Sequence, residues 1–194
     1  MRTLSRVMLV VVGIVAVAGV GLAIWASTLP AGYDITRSVV IDADPALVRE
    51  YAGDLARWDE WTPWKEIDPT IEVTLGEKTR GVGAHQSWTG ESGSGELTII
   101  DDDPASGIQY ALAFDEGSFT SHGELGWAPV DGGTRVTWRM WGEAPGLVAR
   151  LFFHFLSMED RVGRDFDRGL EKLRQVVEQA AASRAVPAPE DGAE

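Results

Sequence analysis

Between Gly146 and Gln179, nine apolar residues recur at steps of three or four: Leu147, Leu151, Phe155, Met158, Val162, Phe166, Leu170, Leu173 and Val177. That spacing lays one continuous apolar stripe along a helix, with Arg150, Arg161, Arg164, Arg168, Glu171 and Lys172 elsewhere around it. Pro145 suits the helix start. Ser157, with Asp160 three residues later, resembles a capping box, and Gly163 lies just beyond, so a kink or break is expected near Ser157. A helix this long and this one-sided needs a surface to lie on.

The preceding chain supplies one. Tyr33 to Asp42 alternates, with Ile35, Arg37, Val39 and Ile41 on one face, and reads as a strand. Asp44 caps a short helix with Pro45 at its first position, running through Leu47, Val48 and Tyr51. A second short helix around Asp54 to Trp58 stops before Pro63. Short strands follow at Ile71–Leu75, Gly83–Thr89, Gly95–Asp101, Ile108–Phe114, Ser118–Ala128 and Thr134–Trp141, the last two joined across Asp131-Gly132-Gly133. Strands bury one face and the closing helix offers one matching stripe. The expected fold is α+β: a curved antiparallel sheet of about seven strands wrapped on a long C-terminal helix. Small residues at Gly83, Gly95, Ala111, Gly123 and Gly126 would let that sheet bend.

The N-terminus is of another kind. Val7 to Ala26 are about twenty uncharged, almost wholly apolar residues, enough to cross a bilayer as a helix. Arg2 and Arg6 precede them, which places the N-terminus in the cytoplasm and the rest beyond the membrane. A cleaved signal peptide is the rival reading, but its apolar core is normally shorter, about 7–15 residues. The expected organisation is a cytoplasmic N-terminus and transmembrane helix over 1–26, a linker over 27–32, a folded domain over 33–180 and a disordered acidic tail over 181–194.

Setting aside Arg2 and Arg6 leaves fifteen of the 17 basic residues against 30 acidic ones, so the exported part carries a formal charge of −15. Nucleic acid and anionic membrane surfaces are therefore disfavoured as partners. Cysteine is absent, so there is no disulfide and no thiol nucleophile, and the domain must rely on its core alone. Abundant Ala, Gly, Val and Arg beside few lysines is a composition typical of GC-rich bacterial genomes.

Several strings carry a resemblance. Asp54-Leu55-Ala56-Arg57-Trp58-Asp59-Glu60-Trp61-Thr62-Pro63-Trp64 resembles the polyketide cyclase/dehydrase or START-like (SRPBCC) domains. So do Gly81-Val82-Gly83-Ala84 followed by Ser87-Trp88, Gly133-Thr134-Arg135-Val136-Thr137-Trp138, and Asp165-Phe166 with Gly169-Leu170 and Leu173. The similarity covers about Tyr33 to Glu178. It implies the helix-grip fold of lipid-transfer START domains and plant pollen allergens, with a hydrophobic cavity between sheet and long helix. Catalysis is not implied by the resemblance alone.

Trp58, Trp61 and Trp64 are the most conspicuous constellation. They suit an aromatic rim or plug at a cavity mouth, and equally the packing of the two short helices onto the sheet. Alternation places Trp88 with Ala84 and Gln86, and Trp138 with Val136 and Met140, as inward positions; Arg139 and Trp141 face the other way. Together with Tyr110 and Phe155, the candidate cavity residues are Trp58, Trp61, Trp64, Gln86, Trp88, Trp138 and Met140. Gln86 or Arg37, if turned inward, would orient a polar ligand group.

The three histidines give no clear acid–base pair. His85 lies opposite Trp88, His122 shares a face with Glu124, and His154 lies on the flank of the long helix. None has metal-ligand spacing with another, so no metal or other cofactor is expected. No serine sits in a nucleophile elbow, and Gly90 to Gly95 lacks the Lys-Ser/Thr of a P-loop. Asp101, Asp102 and Asp103 do not fit a calcium loop and read as a solvated turn.

The leading expectation is a membrane-tethered, extracytoplasmic domain that binds a hydrophobic small molecule or lipid. The alternatives are a cyclase/aromatase-type enzyme, with a residue such as His85 or Glu72 moving protons, and an envelope interaction module using its acidic face.

Overall fold

The computed structural model describes residues 2–144, 146–155 and 158–185. Seven strands form one antiparallel sheet: β1 (Gly32–Ile41), β2 (Glu72–Leu75), β3 (His85–Gly90), β4 (Gly93–Asp103), β5 (Gly107–Phe114), β6 (Phe119–Val130) and β7 (Gly133–Glu143). The order β1-β7-β6-β5-β4-β3-β2 means that β2 to β7 pair in sequence and β1 returns beside β7. Directly opposed residues share a face in such a sheet. The register Ile99, Tyr110, Gly123, Met140 and Ile35 is therefore one row across the inner face.

The helices are α1 (Arg2–Thr28), α2 (Pro45–Ala52), α3 (Trp64–Ile67), α4 (Gly146–Phe155) and α5 (Met158–Ala185), with a 3-10 turn at Leu55–Glu60. Asp44 and Asp54 each accept a backbone N–H two residues on, from Ala46 and Ala56, which starts α2 and the 3-10 turn. The turn at Asp103 is built likewise, its carboxylate taking the Ala105 N–H and the Ser106 hydroxyl. This is the helix-grip arrangement expected from the element order.

The apolar stripe holds from Val162 to Val177: Phe166, Leu170, Leu173 and Val177 are buried on the sheet, and Val162 is partly so. Towards the N-terminus it does not hold. Leu147 is 40% and Phe155 68% exposed, and both lie on α4. Ser157 itself, where the kink was expected, lies outside the described residues.

Two glycines bring α5 close to the sheet. A Cβ at Gly163 would stand 2.2 Å from the Arg37 guanidinium, and one at Gly169 would stand 2.7 Å from the Trp138 ring. Arg37 therefore lies inward, as its alternation with Ile35 and Val39 implied, and passes under α5 to pair with Asp167 at 3.4 Å.

Three details depart from the sequence reading. α3 follows Pro63, where no helix was expected; proline at the N-terminal edge starts the turn rather than stopping it. Asp102 is not solvated but paired with Arg49 of α2 at 3.2 Å. α5 runs through Ala185, into the stretch expected to be disordered. Ala180, Ala181 and Ala182 favour helix, and Arg184 is tied to Glu50 at 2.6 Å. Residues 186–194 lie outside the described residues.

Candidate functional site

Beneath α5 the inner face is closed by rings. Trp138 of β7 stacks on Phe166 of α5, with centroids 4.1 Å apart. Trp61 and Trp64 meet Trp138 edge-on at 5.2 and 6.0 Å, and Trp58 bridges Trp61 to Tyr110 at 5.4 and 5.6 Å. The buried indoles are hydrogen-bonded: Trp138 Nε1 donates to the Tyr110 hydroxyl at 2.7 Å, Trp58 Nε1 to the Ala52 carbonyl at 3.0 Å and Trp61 Nε1 to the Tyr51 carbonyl at 3.3 Å. Trp58, Trp61, Tyr110 and Trp138 are buried, and only Trp64 is partly open. Burial pushes the Tyr110 phenol well above its ordinary value. Met140 and Gln86 are buried on the same face, Gln86 opposite Leu97. These rings form a packed core that fastens the 3-10 turn and α3 to the sheet.

A second ring system occupies the end of the inner face that α5 leaves uncovered. Phe153 of α4 meets Tyr33 at 5.6 Å and Phe119 at 5.8 Å; Tyr33 lies 6.1 Å from Phe119. Phe119 meets Phe114 at 5.5 Å, and Phe114 meets Trp88 at 5.6 Å. All five rings are only partly buried. The Trp88 ring lies across Gly95, where a Cβ would approach to 2.3 Å, so the glycine makes room for an indole lying flat. The Tyr33 hydroxyl donates to Ser121 Oγ at 2.8 Å; burial raises its pKa, and that hydrogen bond partly offsets the rise.

Two clefts lie at the ends of this row. One, of about 270 Å³, is walled by Leu29, Pro30, Tyr33, Ile35, Arg150, Phe153, His154 and Glu159, among others. The other, of about 380 Å³, is walled by Trp88, Thr89, Gly95, Glu96, Ala113 and Glu116, among others. Neither wall includes Trp58, Trp61, Trp64, Tyr110, Trp138 or Met140. Of the expected cavity residues, only Trp88 borders either of these two clefts. Phe155 is apart from all the others, its ring 5.8 Å from Trp25 at the end of α1.

The rest of the row is a hairpin effect. Phe114 and Phe119 are directly paired across Asp115 to Ser118, where Asp115, Glu116 and Gly117 all have positive φ. Two phenylalanines flanking a short turn were the available signal. The turn itself was placed between the two strands, but the side-by-side pairing of the rings depends on its two non-glycine left-handed positions.

The histidines stand away from a common centre. His85 Nδ1 lies 3.1 Å from Thr98 Oγ1 on the outer face, and His122 stacks on Trp141 at 5.8 Å. Neither His85 nor the exposed Glu72 borders either of these two clefts. His154 does, with its ring 5.6 Å from Trp25. Among the described residues, no three His, Asp or Glu side chains converge as a metal site would require.

Comparison with known proteins bears on the fold and the family. A protein of Staphylococcus aureus aligns at TM-score 0.58 and 12% identity, over 78% of this chain and 96% of its own. One from Chromobacterium violaceum aligns at 0.55 and 16% identity, over 75% and 96%. One from Nitrosospira multiformis aligns at 0.54 and 20% identity, over 77% and 99%. At these identities the likeness is one of fold. No curated protein sequence matches the chain. Residues 33–178 match the family described as polyketide cyclase/dehydrase and lipid transport, and the chain belongs to that family.

Proposed function

We propose that the chain is a membrane-anchored, extracytoplasmic domain that binds a hydrophobic small molecule or lipid along the row Phe153, Tyr33, Phe119, Phe114 and Trp88. The carrying observation is that these rings are partly exposed yet contiguous and join two clefts. A packed core would bury them, as it buries Trp138. Covering about 200 Å² of such surface contributes roughly 5 kcal/mol before the costs of association. The family's lipid-transport description supports this reading. So does α1, which holds a stretch long and apolar enough to cross a membrane, Val11–Thr28.

A catalytic reading of the cyclase type has one observation in its favour. Tyr33, His154 and Glu159 wall one cleft together, so proton-transferring groups do border the apolar row there. Turnover of a polyketone-like substrate that depends on His154 would establish it.

Native mass spectrometry of the exported domain, Ser27 to Glu194, taken from its own envelope without detergent, tests the binding reading. A discrete retained mass, weakened by Phe119→Ala, is the expected result. A clean apo mass that stays unchanged after exposure to lipid extract would refute it and favour the interaction module.

A further inference from the structure

Arg150 stands out among the partly buried arginines. Arg37, Arg49, Arg57, Arg80, Arg139, Arg174 and Arg184 each reach a carboxylate. Arg150 is partly buried, yet among the described residues it forms no ion pair, and its Nε is buried with no hydrogen-bond partner. A buried donor nitrogen without an acceptor is costly, which marks the site as one that a ligand completes.

Its surroundings say which ligand. Arg150 borders the cleft that also holds Leu29, Pro30, Ile35 and Phe153, so the cation sits at the edge of an apolar trough. Two carboxylates line the same cleft. Asp34 is engaged by Arg139 at 2.5 Å, and Glu159 is exposed in the first turn of α5. A dianion would be repelled by them, whereas one negative charge matches one guanidinium.

Position supplies the source. Leu29 and Pro30 follow Thr28, where the candidate membrane span ends. Trp25 of that helix packs against His154 and Phe155 of α4. α4 also leaves Leu147, Val148 and Phe155 exposed, at 40%, 81% and 68%. An apolar helix beside a span fits the headgroup layer.

We infer that this cleft receives the monoanionic head of a single-chain amphiphile, with Arg150 as its charge partner and the chain running along the aromatic row. The inference rests on the membrane-anchored binding reading above. Fatty carboxylates and lysophospholipid phosphodiesters share the required chemistry. The domain's own acidity disfavours a densely anionic surface, so recognition falls to this one residue.

The test uses the full chain in phosphatidylcholine nanodiscs, loaded with laurate, lysophosphatidylglycerol or neutral monolaurin. Amphiphile retained per chain is counted by native mass spectrometry against empty discs. One or both monoanions should be retained at least about tenfold over monolaurin, as a charge-assisted pair would give. The one retained identifies the source. Arg150→Gln should bring that ratio to about one, and Arg150→Lys should restore part of it. Equal retention of charged and neutral amphiphiles by the natural chain, or an unchanged ratio in Arg150→Gln, overturns the inference alone. Retention of nothing overturns the binding reading with it.

Discussion

The Trp138 indole lies face to face on Phe166, with ring planes 2° from parallel. This contact fixes the gap between sheet and α5, because a rigid ring from each side sets the distance. It also separates the inner face into a filled part and an open one.

Trp138→Ala should therefore cost about 3–5 kcal/mol of stability, as large-to-small changes in a packed core do. Phe119→Ala, at a half-covered ring, should cost well under that. Urea unfolding of the domain reads both, and equal losses would show that the two ring systems are one core.

Tyr110→Phe keeps the ring but removes the acceptor of the Trp138 N–H. A buried indole N–H left without a partner costs about 1–3 kcal/mol. The melting temperature should fall by several degrees, with little change in the far-ultraviolet spectrum.

The two close glycines of α5 should answer differently to alanine, although helix propensity alone favours both changes by up to about 1 kcal/mol. At Gly169 the new methyl meets the Trp138 ring and Pro63, neither of which can yield, so Gly169→Ala should lower the melting temperature. At Gly163 it meets the end of the Arg37 side chain, which can swing aside at the expense of a partly exposed ion pair. Such pairs contribute about 0–1 kcal/mol, so Gly163→Ala should be near neutral.

Asp68 accepts the Ser92 N–H at 2.9 Å and both the N–H and the hydroxyl of Thr70, at 2.9 and 2.5 Å. Hydrogen bonds from Ser92 and Thr70 hold its carboxyl well below the usual carboxylate range. A depressed folded value means the contribution is complete above the unfolded value, about 3.9, and is lost as pH falls through the folded one. Between about pH 4 and 2, the β3–β4 turn at Ser92 should lose amide protection before β6 and β7 do. Asp68→Asn should show the loss at neutral pH and flatten this dependence.

The sequence was informative where a period or a cap governed the outcome. The strands, the cap at Asp44 and the α5 stripe follow from alternation, a side-chain acceptor and 3.6-residue spacing. The stripe reads further towards the N-terminus than the packing follows it. Leu147 and Phe155 obey the stripe, yet tertiary packing takes them off the sheet and sets Phe155 against Trp25. The site was less legible. Inward alternation marks Trp138 and Trp88 alike, and only the path of α5 over one and not the other separates core from open surface. Arg150 gave no signal, because an unpaired charge is a fact about neighbours distant in sequence.

The join between α1 and β1 has a consequence for traffic. α1 ends at Thr28 and β1 begins at Gly32, with Ala26 fully buried. A leash of Leu29 to Ala31 reaches only about 10 Å even when stretched. If α1 spans a bilayer, the domain stands as a fixed post on one leaflet and cannot ferry cargo across a compartment. Any hand-over must be completed by a partner that travels to it.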